Sequence, residues 1–342
     1  MPPVSVVVPA RQAAGVLPAC LDALERSELR PVEVIVVDDG SSTDATAQVA
    51  RARGATVLAT PLRLGPGGAR NAGVAAASGE IVVFVDSDVC VHSDAIGLLV
   101  EELSRSPRVV AAFGSYDTMP TGANFTSQYK NLMHHYVHQR GREDAFTFWA
   151  GLGAVRRDAF LAAGGFDADR YPRPSIEDIE LGGRLRAFGQ IRLVKSAQGT
   201  HLKNWTLPGL LKTDVFDRGV PWTELILSSG RMPDDLNLGP RHRIGVAAAC
   251  LAVASLPAAA ARRRFPWEAA ALAGVAIAAG SDALSFLTRQ RGLLFAVRAI
   301  PLHLAYYVSS GVALAIGTAR HLARPRPSKT PNPKSKTGAS RS

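Results

Sequence analysis

The sequence has few cysteines, and they are widely separated. Cys20, Cys90 and Cys250 form no paired spacing, which excludes a thiolate zinc site and a disulfide framework. Acidic residues are scarce at one end. Residues 241–342 carry 15 Lys and Arg but only Glu268 and Asp282, whereas residues 1–240 carry 24 basic and 27 acidic residues. The formal charge of +10 therefore lies wholly in the last third. There, apolar stretches alternate with Arg clusters, a membrane pattern. A nucleic-acid surface would interleave aromatic and basic residues on one folded face, so no nucleic-acid partner is expected. The start, Met1-Pro2-Pro3-Val4, lacks a basic segment followed by a long apolar one. A secretory leader is not expected, and the N-terminal domain is placed in the cytoplasm. No Gly-Lys-Ser/Thr follows the glycine-rich stretch at 65–71, which excludes a Walker loop.

Short β-branched runs alternate with helical spacing in the first 95 residues. Strands are predicted over Val4–Val8, Val32–Val37, Ala55–Ala59 and Ile81–Val85, with helices over Val16–Leu29 and Gly67–Ala77. Ser42 and Thr43 are candidate caps for a helix between the second and third strands. This alternation implies an α/β fold with a doubly wound, mostly parallel sheet, whose ligands bind at the carboxyl ends of the strands. Further on, strands are expected over Val109–Phe113 and Ile191–Val194, and helices over Asn124–Arg140 and Ile179–Phe188.

Two acidic clusters fall at strand ends. Asp86-Ser87-Asp88 follows the five apolar residues Ile81–Val85, and carboxylates so spaced can reach a hard divalent cation through oxygen. Alone, the pattern is equally a polar turn. Asp38-Asp39-Gly40-Ser41 places two adjacent carboxylates at a second strand end, positioned to accept hydrogen bonds from a base or ribose. Gly65 to Asn71 opens a helix with small residues and with Arg70, an arrangement suited to an anion or to a flexible loop. Glu177-Asp178 begins a predicted helix, where carboxylates either stabilise the dipole or act as a general base. His201 follows a strand-like stretch and could complete a cation site begun by Asp88. His134 and His138 share a helical face without an acid beside them, which favours helix surface or acceptor contacts over a metal.

Together these segments resemble the family 2 glycosyltransferases of GT-A fold. The resemblance rests on Val6-Val7-Val8-Pro9-Ala10, Val37 to Ser41 with Asp44, Ala69 to Gly73, Val85 to Asp88, Gly164 to Asp167, and Glu177-Asp178, in order over about residues 4–205. It implies a nucleotide-sugar-binding fold. Pro9, Asp38, Asp39, Arg70 and Asp86 would lie at the nucleotide, and Asp88 and His201 at a metal, Mg²⁺ or Mn²⁺. Asp178 would be the catalytic base. Trp149, Gly151 and Glu177 would lie under the sugar and acceptor, with Arg218 and Trp222 at the acceptor entrance. The activity implied is transfer of one sugar, with inversion, from a nucleotide sugar, expected to be a UDP-sugar, to a lipid or lipid-linked acceptor. Arg11-Gln12 departs from the acidic or Asn residue common after the first strand, which leaves the nucleotide open. Asp217 to Trp222 does not fit the Gln-x-x-Arg-Trp box of processive members. A non-catalytic sugar-binding scaffold and a sugar nucleotidyltransferase are the competing readings.

The expected organisation is a transferase domain over 1–240, divided into a nucleotide half (1–95) and an acceptor half (96–240). A membrane region (241–322) and a disordered basic tail (323–342) follow. Three apolar stretches, Ile244–Ala261, Pro266–Leu287 and Ala299–Ala319, give two or three spans. Counting Lys and Arg on each side favours crossing by the last two, with Ile244–Ala261 at the interface. The chain is thus expected in the cell membrane, multi-pass, with its catalytic domain in the cytoplasm.

Overall fold

The computed structural model describes residues 1–230, 239–263 and 266–324. Nine strands form one sheet: β1 (Val4–Ala10), β2 (Glu33–Asp38), β3 (Thr56–Ala59), β4 (Ile81–Val85), β5 (Val89–Val91), β6 (Val109–Tyr116), β7 (Asp144–Ala145), β8 (Leu152–Arg156) and β9 (Gln190–His201). Their order is β3-β2-β1-β4-β8-β6-β9-β5, with β7 also on β9. The first four strands are parallel, as the alternating pattern predicts. The near-continuous Val and Ile runs of β1 and β4 are buried on both faces, the composition a parallel sheet requires. Beyond β4 the sheet is mixed rather than mostly parallel. β8 runs antiparallel to β4 and β6, and β9 is parallel to β6 but antiparallel to β5 and β7. The antiparallel strand β8 contains Gly153 and Ala154 and lacks a strong periodic signature, so sequence pattern alone passes over it.

Helices α1 (Leu17–Glu25), α2 (Thr46–Ala52), α3 (Gly65–Ala76), α4 (Ala95–Arg105), α5 (Phe125–Arg140), α6 (Arg157–Ala162) and α7 (Glu177–Leu185) surround the sheet. Two buried clusters, one on each face, hold the layers together. One joins Val6, Val8, Leu17, Leu99 and Leu103, and the other joins Val7, Phe84, Phe113, Phe148 and Phe160. Neither Ser42 nor Thr43 caps α2. The cap position is Ala45, and Asp44 just before it accepts from the Thr46 amide and hydroxyl, while its other oxygen accepts from the Ala14 amide.

After β9, α8 (Leu207–Lys212), a π-helical segment Thr213–Gly219 and α9 (Val220–Ser229) follow one another without a break. Helices α10 (Pro240–Ala261), α11 (Trp267–Ala279), α12 (Ser281–Arg291) and α13 (Leu293–Ala323) complete the described chain. By length and composition α10 and α13 can each cross a membrane, while α11 and α12 form a pair bent by 64°. Two or three spans were expected, and two helices qualify, or three if the bent pair counts as one span. Ile244–Ala261, assigned to the interface, lies in one of the two qualifying helices, and Pro266–Leu287 is broken at Gly280. The basic tail beyond residue 324 lies outside the described residues.

α12 and α13 are built into the body of the protein. Phe286, Leu287, Ala296, Ala299 and Leu302 share a buried cluster with Tyr129, Leu132, Trp205 and Leu210. Farther along, Ala313 packs with Val215 and Val220, and Arg324 reaches Glu224 at 2.5 Å.

Candidate active site

The parallel strands deliver their carboxylates to one edge. Asp38 ends β2, and its Oδ1 accepts from the Ser41 amide at 3.1 Å. Asp39 is buried and turns toward the start of α3. It accepts from the Leu64 amide at 2.6 Å, the Gly65 amide at 2.9 Å and the Thr60 hydroxyl at 3.2 Å. The anion held by the glycine-rich helix start is therefore Asp39 itself, and those amides are not free for a phosphate. Gly65 has φ +75°, and a side chain there would collide with the Pro172 carbonyl, so both backbone shape and space demand glycine. Pro9 pairs with Val37 in the β1–β2 register, beside this edge. The departing pair Arg11-Gln12 sits here too. Gln12 adopts φ 51°, with its amide on Ser41 Oγ and its side-chain carbonyl on the Thr43 hydroxyl.

Arg70 occupies the middle of the site. It is almost fully buried and pairs with Asp86 at 2.6 Å and Glu177 at 3.1 Å. A guanidinium so engaged is a brace between α3, the end of β4 and α7, not a free phosphate ligand. Glu177, expected at the sugar, is likewise turned inward. Its second oxygen accepts from the Ser175 amide at 2.9 Å. Burial pushes the Asp86 carboxyl up, partly opposed by Arg70. The Asp86 amide donates to the Gly151 carbonyl, and a side chain on Gly151 would strike the Trp149 indole.

Asp88 and His201 come together, with His201 Nε2 3.4 Å from Asp88 Oδ2. His201 Nδ1 lies 2.6 Å from Asn131 Oδ1, and its ring stacks on Tyr116 at 4.2 Å between centroids. An Asn oxygen on Nδ1 directs the Nε2 lone pair at Asp88, the orienting contact typical of a metal-binding histidine. Among the described residues no three His, Cys, Asp or Glu side chains converge on one point. The donor set therefore fits a hard divalent cation only if a ligand supplies further oxygens, as a diphosphate does.

Asp178, the neighbour of Glu177, faces the opposite way into a cavity of about 960 Å³. Its oxygens accept from the Ala150 amide at 3.2 Å and its own helix at Ile179. Burial, reinforced by the charge of Glu177 and partly offset by Arg70, raises its pKa to about 6. Trp149, Arg218 and Trp222 line the same cavity, as do His134 and His138. The two histidines are interior rather than surface groups. Burial lowers both pKa values, that of His138 to about 4, and His138 Nδ1 is bonded to the Gly114 carbonyl. Trp149 packs 4.8 Å from Tyr116 and 4.9 Å from His134. Arg218 stands on the π-helical segment, a distortion frequent at functional sites.

Sequence reading did not single out Tyr116, Asn131 or the half-buried pair Lys130–Asp214, which lie 2.6 Å apart. Tyr116 was within reach, lying at the end of a strand whose predicted extent stops three residues short. Asn131 and Lys130 carry no local signal because their partners lie 70 and 84 residues away.

Residues 5–162 match the family described as Glycosyl transferase family 2. This chain contains a family 2 glycosyltransferase domain. Among curated proteins it is 30% identical over 216 residues to the pre-mycofactocin glycosyltransferase of Mycobacterium tuberculosis, covering 59% of this chain and 44% of that protein. It is 32% identical over 110 residues to the GalNAc(5)-diNAcBac-PP-undecaprenol beta-1,3-glucosyltransferase of Campylobacter jejuni, covering 31% and 36%. The chain thus spans less than half the length of either relative. The mannosyltransferase PcManGT of Pyrobaculum calidifontis, solved with GDP-Man and Mn²⁺, shares the fold at TM-score 0.62 and 21% identity, over 92% of this chain and 87% of that one. The glycosyltransferase domain and the helices behind it thus recur together in one known fold.

Proposed function

We propose that this chain is an inverting glycosyltransferase that moves one sugar from a nucleotide sugar to a lipid or lipid-linked acceptor at the cytoplasmic face of a membrane. The observation that carries this reading is the position of Asp178. Its carboxylate opens into a cavity whose walls include α10 and α13, the two helices apolar enough to enter a bilayer, together with α5 and α9. A hydroxyl entering this cavity has the Asp178 carboxylate in its wall. With a pKa near 6, Asp178 is ionised at neutral pH yet basic enough to accept a proton.

In the proposed reaction the nucleoside lies along Pro9, Asp38 and Asp39, at the carboxyl ends of β1 and β2. Arg70, clamped by Asp86 and Glu177, fixes the spacing between the donor half and α7. Asp88 and His201 would hold Mn²⁺ or Mg²⁺ on the diphosphate, where the ion, when bound, offsets charge on the leaving group. Asp178 takes the proton of the acceptor hydroxyl as its oxygen attacks the anomeric carbon, opposite the leaving oxygen. One such displacement inverts that centre. Trp149, supported by Gly151, offers an aromatic wall to the sugar, and Arg218 with Trp222 flanks the acceptor. The M. tuberculosis and C. jejuni relatives are named glycosyltransferases, and the acceptor in the latter's name is linked to undecaprenol, in line with a membrane-borne acceptor.

The test is titration of the detergent-solubilised full chain with a panel of nucleotide sugars, in Mn²⁺ and in EDTA. Metal-dependent binding of one donor supports the reading and identifies the sugar. Folded protein that binds none of them overturns the site assignment.

A further inference from the structure

One hydroxyl stands between the cation pair and the base, and the chemistry above uses it for neither. Tyr116 ends β6, and its main-chain carbonyl accepts from His135 Nδ1 at 2.7 Å and from the Ser115 hydroxyl at 2.9 Å. Three rings hold its side chain. His201 stacks on it at 4.2 Å and 9°, His134 lies at 4.4 Å, and Trp149 meets it edge-on at 4.8 Å and 85°. These neighbours tie it to both halves of the site. His201 is 3.4 Å from Asp88, and Ala150, next to Trp149, donates its amide to Asp178 at 3.2 Å.

The phenol itself is unanswered. Among the described residues the Tyr116 hydroxyl has no hydrogen-bond partner. Nor is it sealed in the interior, as the unpartnered Tyr171 hydroxyl is. It keeps contact with open space, although the residue as a whole is only 6% exposed. A hydroxyl stripped of most of its water costs free energy until a ligand completes it. Its open side belongs to the donor. Trp149 and His134 line the cavity of Asp178, whereas Tyr116 does not. Burial pushes the phenol pKa up, and among the charges that add to this Asp88 and Asp86 weigh more than Asp178. The phenol thus keeps its proton and faces the carboxylate end as a donor, bonded to neither Asp86 nor Asp88. A diphosphate beside Asp88 and His201 would bring acceptor oxygens to it. Held by three rings, the O–H needs no rearrangement to meet them, which is the arrangement that favours a developing negative charge.

We propose that the Tyr116 hydroxyl donates a hydrogen bond to the sugar-linked phosphate of the donor, the group that departs with the nucleotide. The inference rests on the transferase reading above. As the acceptor oxygen bonds to the anomeric carbon, the bond from that carbon to the phosphate oxygen breaks, and its electron pair stays on that oxygen. The acceptor proton passes to Asp178, while Tyr116 keeps its own. Its hydrogen bond strengthens as charge grows on the phosphate, so Tyr116 is a catalytic residue on the leaving-group side.

The test is calorimetric titration of the full chain in detergent and Mn²⁺ with UDP, GDP, UMP and GMP, on wild type and Tyr116→Phe. Phenylalanine keeps the ring and removes only the hydroxyl. The diphosphate that wild type prefers should bind Tyr116→Phe about tenfold or more weakly, as loss of a hydrogen bond to a charged group implies. The matching monophosphate, which lacks the terminal group, should bind both proteins equally and shows that the variant is folded. Equal diphosphate binding by the two proteins would overturn the role of Tyr116 and leave the transferase reading intact. An equal loss for monophosphate and diphosphate at an unchanged melting temperature would also overturn it, because the hydroxyl would then act elsewhere on the nucleotide. If Tyr116→Phe melts early, 3-fluorotyrosine at position 116 decides: its more acidic hydroxyl should tighten diphosphate binding alone, and unchanged binding overturns the role. Folded wild type that binds no nucleotide removes the transferase site and this inference with it.

Discussion

Ionisation of Asp178 should govern the acid limb of the reaction. Burial and the Glu177 charge set its pKa at about 6, so half of the protein carries the base at pH 6. At pH 5 the ionised share is about one in eleven, and at pH 7 it is about ten in eleven. Turnover at saturating donor and acceptor should therefore rise about tenfold from pH 5 to pH 7, then level off. The sign follows from a raised carboxyl pKa: acid protonates the base and removes activity. His134 and His138 are held neutral by burial in this range, so neither supplies a competing limb. The assay is the initial rate of nucleoside diphosphate release between pH 5 and 8, with donor affinity measured at both extremes to separate binding from turnover. Asp178→Asn should lower turnover by about 10²–10⁴-fold, leave donor affinity within about twofold, and abolish the limb in the residual rate. A flat wild-type profile, or the same limb surviving in Asp178→Asn, would refute the assignment of the base.

Asp88→Ala should remove the difference between donor binding in Mn²⁺ and in EDTA; calorimetric titration checks it, and a preserved difference would dismiss the Asp88–His201 pair as the cation site. Arg70→Met leaves Asp86 and Glu177 buried without their shared cation, and should cost about 3–5 kcal/mol in urea unfolding of the solubilised protein. Trp222→Ala should raise the acceptor KM by about tenfold with donor affinity unchanged, and a donor-side effect instead would move Trp222 out of the acceptor entrance.

The parallel half of the sheet was legible because its information is local. The Val and Ile runs of β1, β2 and β4 announce buried parallel strands, and Asp38, Asp39, Asp86 and Asp88 follow from position at strand ends. What those carboxylates touch was not legible, since Arg70 meets Glu177 across 107 residues and Asp39 meets Gly65 across 26. The Glu177-Asp178 pair illustrates the limit. Adjacent residues on the first turn of a helix point about 100° apart. One joins the internal brace and the other faces the cavity, but only tertiary packing decides which. In the C-terminal third, hydropathy located the apolar stretches, while the bend at Gly280 and the packing of α12 and α13 on the catalytic domain left no trace in charge counts.

That packing makes the C-terminal helices more than an anchor. Phe286, Leu287, Ala296, Ala299 and Leu302 are buried against Tyr129, Leu132, Trp205 and Leu210, in the elements that carry Asn131 and frame the cavity. Burial of two Leu and one Phe side chain contributes roughly 1.5–3 kcal/mol each, and the two Ala less. Removing them would subtract on the order of 5–10 kcal/mol, comparable with the whole stability of an ordinary domain. A chain ending at residue 239 should therefore fail to behave as a soluble transferase domain. Its acceptor half, α5 with α8 to α9, should lose cooperative structure. The parallel half, whose core clusters contain none of these helices, should be least affected. Hydrogen exchange on the full and shortened chains would resolve the two halves. Protection lost from α5 but kept in β1, β2 and β4 is the expected outcome. Equal protection throughout, with an unchanged melting temperature, would mean that α12 and α13 merely rest on the domain and take no part in building the acceptor site.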